Sequence, residues 1–591
     1  MVINTRGTTR RLAVSVLAAL AIVTVFVIRL VDIQVVRAQE LTEAAEQRRT
    51  IPVTTYGIRG SILDANGEVL ADSVERFDIT AAPQNVDLST TWMRRDGQGD
   101  HVEVPTAVAI QAIADITGAD ANQLYQKLTA DPEASWALLV KAVTLDVFTQ
   151  VRALGIPWVY SELRPARTYP NGAIAGNLVG FIGTDGPQAG IEIQSDECLA
   201  ATNGTSTYEA GADGVRLPGS TIVREEAADG GTIHLTIDAD LQWYAQQVVA
   251  QHGTALGAES GSAMIVEVAT GRIMAAADWP SVDPNDVDGV GVGDLGARVF
   301  STPFEPGSVI KVATIASLLD QGKITPRTEV VVPGIYTDGL PEGSWIKDSW
   351  AHDELRLTAT GVLVNSSNIG TAILSKRLSL QKRHDYLEAF GFNSDTAVDF
   401  FGESSGSVLP VEQTDAITNL AQQFGQGMSA TSAQVAALYQ AIGNGGVRMP
   451  LTLVDGCEWP DGTWTHRPDT RGTRVVSESA ATTTVQMMEM TAQEGLIKDL
   501  IKIPGYRVAA KTGTAEVAEN GTYGDERIVS VAGLVPAGDP QYAIVVSFVK
   551  PDTMRTSAAA APAFNAIMKQ VIKTFRITPQ TKGAPSLPMT W

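Results

Sequence analysis

Cysteine and histidine are scarce: only Cys198, Cys457 and six histidines stand among 591 residues. No HxxH or HExxH spacing occurs, neither cysteine has a neighbouring ligand set, and there is no G-x-x-x-x-G-K-[ST] loop. The sequence therefore supports neither a metal nor a cofactor. Basic residues are outnumbered, 44 against 66 acids, for a formal net charge of -22, and no basic run lies outside the N-terminus. Surfaces that grip phosphates need clustered cations, so a nucleic-acid partner is excluded. Disorder is not the default either, because 44% of the residues are hydrophobic and 19% charged. The chain is long enough for more than one domain.

One long hydrophobic run is present. MVINTRGTTRR carries Arg6, Arg10 and Arg11 without an acid, and LAVSVLAALAIVTVFVI (residues 12–28) carries no charge. That is about the minimum to span a bilayer, and the helix can extend to residue 36. The expectation is a cytoplasmic tail (1–11) and a membrane anchor (12–36), with the remainder outside the membrane. A cleaved signal peptide is the competing reading, but only VVRAQE follows the run, not a small-residue A-x-A pattern.

Beyond the anchor three textures separate. Residues 37–228 are mixed: RGSILDANGEVLADS reads as a hairpin turning at Asn66-Gly67, TAVAIQAIADITGADANQLYQKLTAD as two short helices, and RTYPNGAIAGNLVGFIGTDGPQAGIEI as loops and short strands. Residues 229–575 alternate strands and long helices, and 576–591, rich in proline, read as an unstructured tail. Cys198 and Cys457 fall in different sections, which leaves their pairing open.

S-x-x-K occurs four times, starting at Ser308, Ser344, Ser379 and Ser547. Ser547 and Lys550 lie in a strand pattern, where residues three apart point to opposite faces. Ser344 to Lys347 lies in the polar loop EGSWIKDSW, and Ser379 to Lys382 on a charged helical face; all three read as background. In FEPGSVIKVATIASLLDQG, by contrast, Ser308 follows a Pro-Gly turn and opens a helix that is apolar on nearly every side and stops at Gly322. Lys311, one turn on, is the exception in that helix. A desolvated lysine loses proton affinity and becomes a usable base for a serine hydroxyl. A helix cap followed by a snorkelling lysine is the rival reading and stays open at this point.

Two more stretches bear on the choice. NSSNIG puts Ser366 and Asn368 at a break before a helix, where a hydroxyl can relay a proton and an amide can hold a peptide group. AAKTGTAEV offers Lys511 and Thr512 for a carboxylate, with Gly513 allowing close approach to a strand. Its following strands, RIVSVAGLVP and YAIVVSFVK, complete an antiparallel meander.

In the order S-x-x-K, S-x-N, K-T-G the set resembles the penicillin-binding and serine β-lactamase superfamily. EPGSVIK, NSSNIG, FGQGMSAT and AAKTGTAEV, with the upstream RGSILDANGEVLA, RTYPNGAIAGNLVGFIGTDG, GIE, LTIDADLQ and ADWPSVDPN, look like class B penicillin-binding proteins over nearly the whole chain. The resemblance implies a multidomain α+β protein. Its parts are one transmembrane helix, an elongated dimerisation-type pedestal (37–228), and a transpeptidase domain (229–575) with an antiparallel sheet flanked by helices and an all-helical subdomain. It implies a peptidoglycan D,D-transpeptidase of the septal type that acts on stem peptides of lipid-linked or nascent glycan and is acylated by β-lactams. A polytopic glycan polymerase and other division proteins are the implied partners. Carried over, Ser308 is the nucleophile, Lys311 its base and Ser366 the proton relay. Asn368 holds the peptide amide; Lys511, Thr512 and Thr514 hold the terminal carboxylate beside Gly513; the N–H groups of Ser308 and Thr514 form the oxyanion hole. SSN stands where class A β-lactamases have S-D-N, and no deacylating glutamate can be placed, which weakens a hydrolase. A β-lactam sensor and a mainly scaffolding partner of a glycan polymerase are also compatible with the motifs.

Overall fold

The computed structural model describes residues 5–591 except 42–43, 45–49, 87–90, 96–100, 184, 210–216, 520–521 and 581–582. It divides into two compact units, Met1–Ile58 with Ala201–Asp229, and Arg59–Ala200 with Gly230–Trp591. The stretch expected to form one pedestal thus contributes to both.

In the first unit a helix runs from Thr5 to Val31 and continues as a π-turn, Asp32–Val36. Thr9–Val36 contains an 18-residue window of mean hydropathy 2.7, none of it buried, and is the one segment among the described residues long and apolar enough to cross a membrane. Asp32 pairs with Arg29 at 2.6 Å and Arg37 at 3.2 Å, so the charges at the end of the run satisfy one another. Thr50–Thr55, Gly204–Glu209 and Ile222–Glu225 form a three-stranded antiparallel sheet.

The second unit is organised by a five-stranded antiparallel sheet of β1 (Ser260–Glu267), β2 (Ile273–Trp279), β3 (Ala509–Glu519), β4 (Thr522–Val535) and β5 (Tyr542–Val549), in the order β2-β1-β5-β4-β3. The expected meander of β3, β4 and β5 is present, and β3 is an edge strand. Because side chains alternate along a strand, the sheet has two apolar faces. Ala263 and Ile265 pack with the helices Ala239–Leu256 and Ala561–Thr574. Met264 and Val266 pack with the layer that contains α1 (Lys311–Asp320). Between α1 and β3 helices, including α2 (Ala359–Val364) and α3 (Asn368–Ser375), outweigh strands in the regular structure, alongside three short two-stranded ribbons and two strands of a second sheet.

A second sheet, of seven strands, joins distant parts of this unit. Ile233 pairs in parallel with Ile62 and antiparallel with Cys457. The expected hairpin is here, with Gly67 at φ 86° and the Asp64 carboxylate accepting from the N–H groups of Asn66 and Glu68 at 2.7 Å. The two short helices are Thr106–Thr117 and Ala121–Thr129. Part of the glycine-rich stretch is helical rather than loop, in the short turns Gly176–Val179 and Gly190–Gln194.

Cys198 and Cys457, whose pairing the sequence left open, form a disulfide across a separation of 259 residues. The second sheet explains it: Gly231 donates to the Cys198 carbonyl at 2.7 Å, and two residues later Ile233 is registered with Cys457. Replacing both cysteines by serine is expected to lower the unfolding free energy by about 2–5 kcal/mol, read as a lower Tm in non-reducing buffer; an unchanged Tm would mean that sheet packing alone holds the two segments.

The proline-rich end is not an unstructured tail where it is described. The Met589 carbonyl accepts from Thr358 N–H at 3.0 Å and that of Pro588 from Thr358 Oγ1 at 2.6 Å. Thr590 bridges Leu357, and Arg356 lies over the Trp591 ring. Proline removes a donor but keeps its carbonyl and an extended backbone, so a proline-containing segment can still add to the edge of strand Leu355–Thr358.

Candidate active site

Ser308 lies not on an α-helix but on the 3-10 turn Gly307–Ile310 that precedes α1. The turn is held from outside: Gly307 donates to the Gly425 carbonyl at 2.9 Å. Both glycines have positive φ, and a Cβ on Gly425 would lie 2.0 Å from the Gly307 oxygen, so the FGQG loop can take no side chain there. Val309, Ile310 and residues 311–318 are buried, as the pattern predicts. Ser308 itself is partly exposed.

Lys311 is the exception in chemistry, not in position: it is fully buried. Its Nζ lies 3.0 Å from Ser308 Oγ, 2.5 Å from the Ser366 carbonyl, 3.3 Å from Ser366 Oγ and 2.7 Å from Asn368 Oδ1. Burial lowers its pKa to about 7, against an opposing pull from Asp348. A lysine snorkelling to water is therefore excluded. Two of these neighbours, the Ser366 carbonyl and the Asn368 amide oxygen, can only accept. A neutral amine spends its two N–H bonds on them and keeps its lone pair for the Ser308 hydroxyl. That is the arrangement a general base requires.

Ser366 lies in the break between α2 and α3, in the left-handed region at φ 56°. Such a conformation costs a non-glycine residue on the order of 1 kcal/mol and persists only where its surroundings enforce it. Here Lys511 Nζ donates to Ser366 Oγ at 2.8 Å and to the carbonyl and hydroxyl of Thr512 at 3.1 and 3.3 Å. Two buried amines thus meet one hydroxyl from opposite motifs. Burial, and then the charge of Lys311, push the Lys511 pKa well below the usual lysine range. Two like charges in one apolar site oppose each other, so a proton is easily passed among these groups.

Gly513 is buried in edge strand β3, but the room its side chain would take is filled by protein: a Cβ would lie 2.3 Å from Ser530 Oγ and 3.0 Å from the Pro306 carbonyl. The glycine lets the Ser308 turn seat against the strand. Thr514 is exposed, and its carbonyl would be 2.9 Å from a Cβ on Gly307. All eight residues singled out from the sequence, Ser308, Lys311, Ser366, Asn368, Lys511, Thr512, Gly513 and Thr514, are therefore gathered around one turn and one strand edge.

The other S-x-x-K matches divide. Ser547 is buried against Ser262 at 2.8 Å, and Ser379 caps the helix Leu380–Ala389. The loop EGSWIKDSW, expected to be background, is part of the site: the Lys347 carbonyl accepts from Asn368 Nδ2 at 3.2 Å, and Asp348 is buried behind it. The sequence signal was an acid in an aromatic-rich loop, which composition alone does not separate from a solvated turn.

Residues 261–569 match the penicillin-binding protein transpeptidase domain and 54–235 the penicillin-binding protein dimerisation domain. The chain is 33% identical to penicillin-binding protein PbpB of Mycolicibacterium smegmatis, over 97% of this chain and 91% of that protein. It is 30% identical to peptidoglycan D,D-transpeptidase FtsI of Escherichia coli, over 93% and 89%. The crystal structure of penicillin-binding protein 3 of Mycobacterium tuberculosis complexed with aztreonam superposes with a TM-score of 0.68 at 28% identity, covering 91% of this chain and 100% of that one. With a buried lysine on its serine and both domains in place, the chain belongs to the penicillin-binding protein transpeptidase family.

Proposed function

We propose that this protein is a serine D,D-transpeptidase that cross-links peptidoglycan stem peptides during septal wall synthesis and is acylated by β-lactams. The observation that carries the reading is the buried Lys311 amine within hydrogen-bond reach of Ser308 Oγ. The names of the FtsI and PbpB relatives and the aztreonam complex of the M. tuberculosis protein support the substrate class and the inhibitor.

In this reading Ser308 Oγ attacks the penultimate D-alanine carbonyl while its proton passes to Lys311. The oxyanion lies against the N–H groups of Ser308 and Thr514, where preorganised donors are worth several kcal/mol. As the C–N bond breaks, Ser366, between Lys311 and Lys511, returns a proton to the departing D-alanine nitrogen. Asn368 holds the peptide amide, and Lys511, Thr512 and Thr514 hold the terminal carboxylate. An amine of a second stem peptide then attacks the ester carbonyl, forming the new amide and freeing Ser308. Residues 37–228 serve as the pedestal and 229–575 as the catalytic domain. The apolar helix anchors the protein with residues 1–11 in the cytoplasm, so a polytopic glycan polymerase and division proteins are its expected neighbours.

The full chain in detergent, incubated with a penicillin and digested for mass spectrometry, is expected to carry one adduct on Ser308 that persists for hours. Ser308→Ala is expected to carry none. A rapidly lost adduct would indicate a β-lactamase, and no adduct on folded protein would leave a scaffold.

A further inference from the structure

The loop that brings Lys347 to Asn368 also holds a buried acid–base pair. The Asp348 side chain is inaccessible to solvent and that of His352 nearly so, with His352 Nε2 at 3.0 Å from Asp348 Oδ2. Asp348 Oδ1 accepts from the N–H of Ile369 at 3.0 Å, one residue after Asn368. Together with the Lys347 carbonyl on Asn368 Nδ2, this pins both the backbone and the amide at the start of α3. An asparagine side chain has one accepting oxygen and one donating nitrogen. With the nitrogen committed to a carbonyl, the oxygen must face Lys311 Nζ, 2.7 Å away.

His352 has a second oxygen partner, the Asp353 carbonyl, 2.6 Å from Nδ1. Both ring nitrogens thus face acceptors, and only the doubly protonated ring donates at each. His352 is thus fixed between the Asp348 carboxylate and the Asp353 carbonyl, and it holds the carboxylate in place behind Asn368.

We propose that Asp348, braced by His352, is a positioning residue for acylation: it turns the Asn368 amide toward Lys311 and sets a negative charge behind the amine. This rests on the reading of Ser308 and Lys311 given above. The charged groups that bear on Lys311 are Asp348, whose field favours its ammonium form, and Lys511 from β3, whose own proton affinity Lys311 lowers. Ser308 and Ser366 face it as neutral hydroxyls. Loss of the Asp348 charge should therefore let Lys311 become neutral at lower pH. His352→Gln keeps a donor to Asp348 and leaves that carboxylate in place, so Lys311 should keep its pH range.

The test is the rate of acylation of the full chain in detergent by a fluorescent penicillin, followed through neutral pH for the wild type, Asp348→Asn and His352→Gln. For Asp348→Asn the acid limb is expected to move to lower pH by about half a unit or more, with a plateau about 10-fold lower because Asn368 is less well held. For His352→Gln, whose amide can still donate to Asp348, the limb is expected to stay where the wild type has it. A role confined to holding the loop would lower the plateau without moving the Asp348→Asn limb, so an unmoved Asp348→Asn limb, or a His352→Gln limb that moves with it, overturns the proposal. If Asp348→Asn does not fold, Asp348→Glu decides: it keeps the charge but displaces Asn368, so a lower plateau with an unmoved limb is expected, and an unchanged plateau or a limb moved to lower pH overturns the proposal. Failure of the wild type to form an adduct on Ser308 would instead overturn the underlying reading; a normal wild-type adduct with unmoved limbs overturns only this proposal.

Discussion

Lys311→Met is expected to slow acylation of Ser308 by about 1000-fold in a protein that still folds. Methionine nearly matches the length of the lysine stem and fills the same fully buried space, so the loss reports chemistry rather than a cavity. The wild-type pH profile should show the same residue. With its pKa lowered to about 7 by burial, Lys311 is a proton acceptor only above that value, and the acylation rate should rise through about pH 7. Stability carries a linked signature. In the unfolded chain Lys311 keeps its proton up to about pH 10.4, whereas the folded protein releases it near 7. Between those limits the unfolded state binds more protons, so the Lys311 contribution makes folding more favourable as pH rises. Denaturant unfolding at neutral and alkaline pH should show the wild type gaining stability relative to Lys311→Met. No relative gain would mean that the buried amine stays charged. Retained acylation in the variant would remove Lys311 from the mechanism.

Glu192→Ala is expected to destabilise the protein by about 3–5 kcal/mol without touching the site. Glu192 is inaccessible to solvent, accepts from Arg59 Nε at 2.8 Å and Arg167 Nε at 2.6 Å, and lends its backbone carbonyl to Arg59 Nη2 at 2.8 Å. The burial of Tyr169, and then the Glu192 charge, push the tyrosine hydroxyl pKa up, so Tyr169 stays neutral and can donate nearby. Deleting the carboxylate takes the ion-pair partner from Arg167 in a poorly solvated site, whereas Arg59 keeps Asp196 at 2.5 Å. Arg167 is itself mostly buried, so it cannot turn to water without opening the packing. The expected result is a large fall in the denaturation midpoint with an unchanged acylation rate for the protein that remains folded. Arg167→Met added to Glu192→Ala should recover part of the loss, because it removes one uncompensated charge. An equally unstable double variant would point to a packing role for Glu192 instead.

These two residues also mark how far the sequence could be read. Lys311 was legible because it breaks an otherwise apolar helical pattern one turn after Ser308, although the 3-10 turn that carries Ser308 is held from outside by Gly425. The meander of β3 to β5, the Asn66-Gly67 hairpin and the long N-terminal apolar run were legible for the same reason: each is a local period or a turn chemistry. Glu192 stands within the recognisable GIE motif, but its partners were not legible. Arg59 and Arg167 lie 133 and 25 residues away, and their convergence depends on how the strands assemble.

The amino-acid order by itself determined which groups were available: a serine and lysine one turn apart, a serine and asparagine at a helix start, a lysine, threonine and glycine on a strand. Tertiary structure decided what those groups became. It buried Lys311 and Lys511 and brought both onto Ser366, and burial, not residue identity, is what lowers a lysine's proton affinity. It drew the loop around Asp348 behind Asn368, docked residues 588–591 on the edge of Leu355–Thr358, and closed the bond between Cys198 and Cys457. Each of these is a contact between segments far apart in the chain. Local propensity carries no information about such contacts; they form when the sheets close and apolar faces leave water together.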